Sequence, residues 1–217
     1  MKTSRQQPRR RPVRYREAAN ELRTETILDT LRDLLIESNW RKVSVSDIAA
    51  RCGLSRQTIY KNFGSRDGLI RAYMLRFASG IIADLAEQEL HRNVGDLQAF
   101  FTAGFERYFA AIAAEPLAVA VLREDLGPEL FTQLSGYGAD LVETTAHELS
   151  AIYQQSWLDI ATHDSDILAQ GVVRIAISYI AIRPNNTYSE AHDLGRLFAG
   201  FAQGLSDKRD CRINGGS

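Results

Sequence analysis

One spacing in this chain leaves little freedom to the backbone around it. Gly53 follows Ala49 by four residues and Ile59 follows it by ten, within stretches whose apolar residues recur at helical period. Two short helices crossing at a tight turn need this arrangement. The first must carry a small side chain where the second crosses it, and Ala49 supplies one. The turn must tolerate positive φ, as Gly53 does without a Cβ penalty. The second must send an apolar side chain back to the crossing, and Ile59 does so with Ile48 and Leu54 beside it. With Ile59 inward, Arg56, Gln57, Thr58, Tyr60 and Lys61 turn outward. The hydroxyls of Ser55 and Thr58 suit phosphate or base edges. Arg56 and Gln57 are long enough for guanine and adenine edges, and Tyr60 and Lys61 suit the sugar–phosphate wall. The same spacing also fits a buried helical hairpin whose polar residues are merely solvated.

Charge bears on that choice. A net charge of -1 says little for nucleic acid. Residues 1–66, however, hold 15 Lys/Arg against 7 Asp/Glu, and the remainder hold 11 against 20. The first part is therefore at +8 and the second at -9. Such asymmetry describes a polyanion-binding end and a body with another task. Residues 1–16 carry Lys2, Arg5, Arg9, Arg10, Arg11, Arg14 and Arg16 and no acid. Pro8 and Pro12 oppose helix there. The expectation is a disordered basic arm, either a solubilising tail or a set of phosphate or minor-groove contacts that includes Arg14.

The periodicity reads as an all-α chain of about nine helices. From Glu17, residues Leu22, Ile27, Leu28, Leu31, Leu34 and Leu35 fall at helical spacing. Ser44 opens a short helix as its cap, with Asp47 three residues on, and is also counted among the DNA-facing residues. Ser55 caps the next helix, which ends near Phe63-Gly64, and Ser65 caps a long one to about His91. Asp96 opens a helix, Pro116 suits the first turn of another, and Gly127-Pro128 marks a break before a long helix to about Trp157. Asp164 opens one that ends before Pro184, and Thr187 caps a last one to about Ser206. The boundaries are a basic arm at 1–16, a helix-turn-helix domain at 17–66, a helical body at 67–206 and a flexible tail at 207–217.

The longer string is more specific than the spacing. Val45-Ser46-Asp47-Ile48-Ala49, Gly53-Leu54-Ser55, Thr58-Ile59-Tyr60-Lys61-Asn62-Phe63, Arg66 and Leu69 together closely resemble the signature of TetR-family regulators, over about residues 20–70. That resemblance implies a three-helix DNA-binding domain ahead of a helical ligand-binding and dimerisation domain. It implies Tyr60 against a phosphate and Phe63 in the domain core. Arg66 stands where the family usually has Lys, which keeps a charge for phosphate. Gly64 replaces a commonly polar or basic residue. A dimer would offer two such heads, one or more duplex turns apart (about 34 Å or a multiple of it), to a near-palindromic double-stranded operator.

In the body, residues 100–160 are rich in aromatics: Phe100, Phe101, Phe105, Tyr108, Phe109, Phe131, Tyr137, Tyr153 and Trp157, with His147 among them. They suit either plain core packing or a pocket for a small hydrophobic effector, fatty-acid-like or aromatic. The candidates for such a pocket are Phe101, Phe105, Tyr108, Phe109, Tyr137, His147 and Trp157. The resemblance implies that a pocket exists. Near the end, Ala191, Gly195 and Ala199 form one small-residue stripe, and Gly200 and Gly204 another. With Leu194, Leu197, Phe198 and Phe201, and with Ile175, Tyr179 and Ile182 on the preceding helix, they read as a homodimer interface or as intrachain packing. The resemblance favours the dimer.

Several classes of function find no support. No P-loop, GxGxxG after a strand, GxSxG or HExxH is present, so no enzyme and no cofactor are expected. His163-Asp164-x-Asp166 reads as a helix start and not as a metal site. Cys52 and Cys211 make no disulfide framework, which fits a reducing cytoplasm. No apolar run approaches a membrane span, and none follows the basic N-terminus as in a signal peptide. Asn185-Asn186-Thr187 is read as a chance sequon. The combined expectation is a repressor released from its operator by a hydrophobic effector. The alternatives are a regulator controlled by a protein partner without an effector, and a helical enzyme or scaffold whose hairpin binds protein.

Overall fold

Helix formation begins earlier than proline placement suggests. In the computed structural model, which describes residues 11–38, 42–89, 93–122, 127–158, 160–181 and 186–214, α1 spans Arg11–Glu37. Pro12 lies in its first turn, where no i→i−4 bond is lost. The segment 11–16 is therefore helical and not part of a disordered arm. Eight more helices follow among the described residues: α2 (Val45–Arg51), α3 (Arg56–Phe63), α4 (Arg66–Glu89), α5 (Leu97–Ala114), α6 (Pro116–Leu122), α7 (Gly127–Gln155), α8 (Thr162–Ala181) and α9 (Thr187–Asn214). No strand occurs among the described residues. Helix α9 continues past Ser206 to Asn214, beyond the expected start of a flexible tail. No described helix is long and apolar enough to cross a membrane, and no described group of acids, His or Cys could hold a metal ion.

Local chemistry sets most helix starts. Ser44 and Asp47 form a reciprocal capping box, Ser55 accepts from the Thr58 N–H, and Asp96 accepts from the Ala99 N–H. Ser65 accepts from the Gly68 N–H at 2.9 Å. Two starts differ from expectation. Asp164 is the third residue of α8 and not its cap. The Asn186 side chain, one residue before Thr187, accepts from the N–H groups of Tyr188 and Ser189.

The chain divides into two compact units after Leu69, inside α4. The first closes over Ile27, Leu28, Leu31, Ile48, Ile59 and Leu69, all nearly inaccessible. Leu22 fits the same period but is 71% exposed, because the core-facing part of α1 starts at Ile27. Gly68 lies where an added Cβ would fall 1.9 Å from the Phe63 carbonyl oxygen, so the α3–α4 turn requires the bare backbone.

In the second unit α5 packs along α9, and α7 along α8. Its core joins Phe100, Phe101, Phe105 and Phe109 to Leu168, Val173, Leu194 and Phe198. Burying each such side chain contributes roughly 1.5–3 kcal/mol. At Gly195 the α5 and α9 backbones meet so closely that a Cβ would lie 2.9 Å from the Thr102 nitrogen and 3.0 Å from the Gln98 oxygen. A buried polar seam pins α7 to α8: Ser150 donates to Asp166 at 2.6 Å, and Ser165 donates to the Ser150 carbonyl at 3.0 Å.

Candidate nucleic-acid interface and apolar cavity

The turn between α2 and α3 holds Gly53 at φ 65°, the left-handed value that favours glycine. Ala49 is 3% exposed and Ile59 is at 0%, so both sit at the crossing. This inward anchor leaves Arg56, Gln57, Tyr60 and Lys61 exposed on α3. At about 100° per residue they occupy an arc of roughly 140°. No acid shares that helix. The face thus combines two cations, an amide and a phenol 46% exposed, a set suited to phosphates and base edges.

Neighbouring residues differ in what they can still offer. Ser55 and Thr58 face each other at 2.9 Å, so one hydroxyl proton bridges them and the other is left for an acceptor such as phosphate. Ser44 donates its proton to Asp47 at 2.6 Å. Ser44 is thus a helix cap, with its hydroxyl proton engaged within the protein. That hydroxyl, and then the Ser44 N–H, hold the Asp47 carboxyl below its ordinary range. Arg66 is half-buried and donates to the Val43 carbonyl at 3.2 Å, which supports the entry to α2. At the other end of α2, Arg51 grips Glu37 with bonds of 2.5 and 2.6 Å and lowers that carboxyl's pKa. Both are exposed, and such pairs contribute little. Cys52 is packed against α1, its thiol donating to Thr30 Oγ1 at 3.2 Å. The Arg14 side chain lies outside the described residues.

The second unit holds a partly open apolar cavity of about 150 Å³. Its α4 wall runs from Tyr73 to Leu85, about 18 Å of helix. Phe101, Phe105 and Tyr108 line it, with Phe77, Ile81, Leu149 and Val173 among the apolar remainder. Tyr108 donates to the Ala176 carbonyl, and burial pushes its pKa up. Other candidates lie elsewhere. Phe109 is 6% exposed and meets the Tyr179 ring edge-on at 5.1 Å, outside the wall. Trp157 packs edge-on against Phe100 at 5.8 Å. His147 is on the exposed side of α7. The side chains of Tyr137 and Phe131 lie outside the described residues.

The cavity also has a residue that sequence reasoning missed. Glu115, only 5% exposed, belongs to its wall. Its Oε1 accepts from the Tyr73 hydroxyl at 2.5 Å and from the Leu117 N–H at 3.1 Å. A signal existed: Glu115 is the lone acid between Glu106 and Glu124, set between two apolar helices.

The residues read as a dimer face separate into two groups. Leu194 and Phe198 belong to the chain's own core, Phe198 stacking on Phe105 at 5.5 Å. Ala191 is fully buried in that core, and Gly195 faces α5. Ile175 packs partly buried on the same core. Tyr179 donates to Glu190 at 2.8 Å, and desolvation together with that carboxylate pushes its pKa up to about 12. Leu197 and Phe201 remain outside, 57% and 44% exposed. Gly200 and Gly204 lie in the same stretch, with open space where a Cβ would stand.

Comparison with known proteins agrees with this geometry. Residues 27–73 match the family described as bacterial regulatory proteins, tetR family, and residues 96–199 match the bacterial tetracyclin repressor C-terminal domain. The transcriptional regulator AlkX of Mycobacterium tuberculosis is 34% identical over 191 residues, 88% of this chain and 90% of that protein. The crystal structure of the TetR-family repressor AlkX from Dietzia, implicated in biodegradation of n-alkanes, superposes with a TM-score of 0.76 at 27% identity. It covers 84% of this chain and 96% of that one. The repressor QsdR of R. erythropolis shares the fold, with a TM-score of 0.61 at 21% identity over 83% of this chain and 95% of its own. The chain therefore belongs to the TetR family of DNA-binding transcriptional regulators, and is not an enzyme.

Proposed function

We propose that the protein is a homodimeric repressor that leaves a near-palindromic operator when a chain-shaped apolar compound fills its body cavity. The observation that carries the ligand half is the cavity itself, long along α4 and walled almost wholly by hydrocarbon. The name of the Dietzia relative supports an alkane or alkane-derived effector over a sugar phosphate or a metal chelate. Arg56, Gln57, Thr58, Tyr60 and Lys61 would read the duplex. By linkage, operator and effector would each weaken the other's binding by one common factor. Titrating dodecane and its oxidised derivatives into an operator complex tests this. An operator affinity that stays constant while ligand demonstrably occupies the cavity overturns the mechanism, and favours control by a protein partner.

The dimer half rests on the outer face of α9. Two large apolar side chains stand beside two glycines that leave room for close approach. Replacing both, Leu197→Glu with Phe201→Glu, should convert dimer to monomer in sedimentation velocity while leaving the helical spectrum intact. Persistence of the dimer would assign the interface to another face. Operator affinity should fall in parallel, since one head of this size contacts too few base pairs for tight binding.

A further inference from the structure

We infer that the cavity selects its ligand by a hydrogen-bond donor at one end of an apolar chain, a primary alcohol in chemical class, and that the Glu115 carboxylate receives it. This rests on the reading of the cavity as the effector site. Proton supply decides which head group fits. Tyr73 has a single hydroxyl proton, and it is spent on Glu115 Oε1. The Leu117 N–H is spent on the same oxygen. What this end still presents is acceptors, Glu115 Oε2 first among them. Tyr108, further along the wall, has likewise given its proton to Ala176.

Among the described residues, no Lys, Arg or His lines the cavity. Arg76 stacks over the far side of this end, 5.6 Å from the Tyr73 ring centre, but is not part of the wall. A carboxylate head at the Glu115 end would thus set two acids against each other, with no cation in the wall to offset its lost hydration. An ammonium head finds acceptors but must shed a full charge's hydration to reach them. A plain alkane leaves the acceptors unmatched. A hydroxyl supplies the one missing proton without carrying charge. Thr145 and Tyr153 also belong to the wall. Their hydroxyls can give or take a proton, so they do not separate acid from alcohol, whereas Glu115 does.

The test uses the full chain with four ligands of equal chain length: dodecane, n-dodecanol, dodecanoate and dodecylamine. Binding is followed by intrinsic tryptophan fluorescence and checked by thermal shift. The alcohol should bind at least about tenfold more tightly than the carboxylate or the alkane, the scale of one matched buried hydrogen bond. Glu115→Gln keeps an oxygen for the Tyr73 and Leu117 bonds and replaces the other acceptor by an N–H donor. It should shrink the alcohol's margin over the carboxylate to less than about threefold, by improving carboxylate binding. Tyr73→Phe serves as the second variant. It frees Glu115 from its phenol and should preserve the preference for alcohol.

A carboxylate or an alkane that binds wild type as tightly as the alcohol overturns the inference. So does a preference that Glu115→Gln leaves unchanged. If none of the four ligands binds, the cavity is not an apolar-chain site. The underlying functional reading then fails first, and this inference with it.

Discussion

Reversing two charges on α3, Arg56→Glu with Lys61→Glu, is expected to lower affinity for a selected operator duplex by about a thousandfold or more at physiological salt. Both side chains are exposed on the face opposite Ile59, so the substitutions touch no core. Surface changes of this kind usually alter stability by no more than about 0.5 kcal/mol. The loss at the duplex is larger. A contact to a base edge or phosphate is worth roughly 1–3 kcal/mol, reversal adds repulsion from the polyanion, and a dimer incurs the loss twice. The salt dependence should change with it, since each phosphate contact removed lowers the slope of log affinity against log salt by about 0.9. An electrophoretic titration at several salt concentrations reads both. Unchanged affinity in a folded variant would remove α3 from the interface. Gln57→Ala should behave differently, relaxing sequence preference while leaving the salt slope nearly intact.

The second large effect is expected at Gly195. Gly195→Ala should destabilise the body by about 1–3 kcal/mol, the usual range for overpacking, and lower Tm by about 2–4 °C for each kcal/mol in a chain of this size. The Cβ would meet three groups. One is the Thr102 hydroxyl at 2.0 Å, which rotation can move; the other two are backbone atoms at 2.9 and 3.0 Å, which it cannot. Relief therefore requires α5 and α9 to part, and with them the Phe105–Phe198 stack. Gly80→Ala provides the comparison. Gly80 is exposed within α4 with open space around it, and Ala is favoured over Gly in a helix by about 1 kcal/mol. Thermal melts of the two variants should move in opposite directions. A melt for Gly195→Ala equal to wild type would mean that the close approach is absent in solution.

The DNA-reading head was legible because its determinants are local. Ala49, Gly53 and Ile59 act across a few turns of chain, and caps such as Ser44–Asp47 and Asp96–Ala99 are three residues apart. Ser44 and Arg66 have the right chemistry for phosphate, but each also donates within the protein, to Asp47 and to the Val43 carbonyl, and composition does not reveal such contacts. Leu22 fits the helical period yet lies on a part of α1 that no core covers. In the body the informative contacts are remote in sequence. Phe198 meets Phe105, and Tyr73 meets Glu115 across 42 residues. Periodicity could mark those side chains as apolar or polar, but not assign them to core, cavity or subunit face. The small-residue stripes show this most plainly: Gly195 serves the chain's own α5–α9 contact, whereas Gly200 and Gly204 stand in open space.

That contact also limits how the body can move. Sliding α9 along α5 by one residue would bring Leu194 or Arg196 to the place where only a glycine fits. Sliding by a full turn would bring Ala191 or Ala199, at a cost comparable to that expected for Gly195→Ala. The joint is keyed to one register. In any rearrangement of the body, α5 and α9 are therefore expected to travel as a single rigid piece, and the give to come from the helices around them.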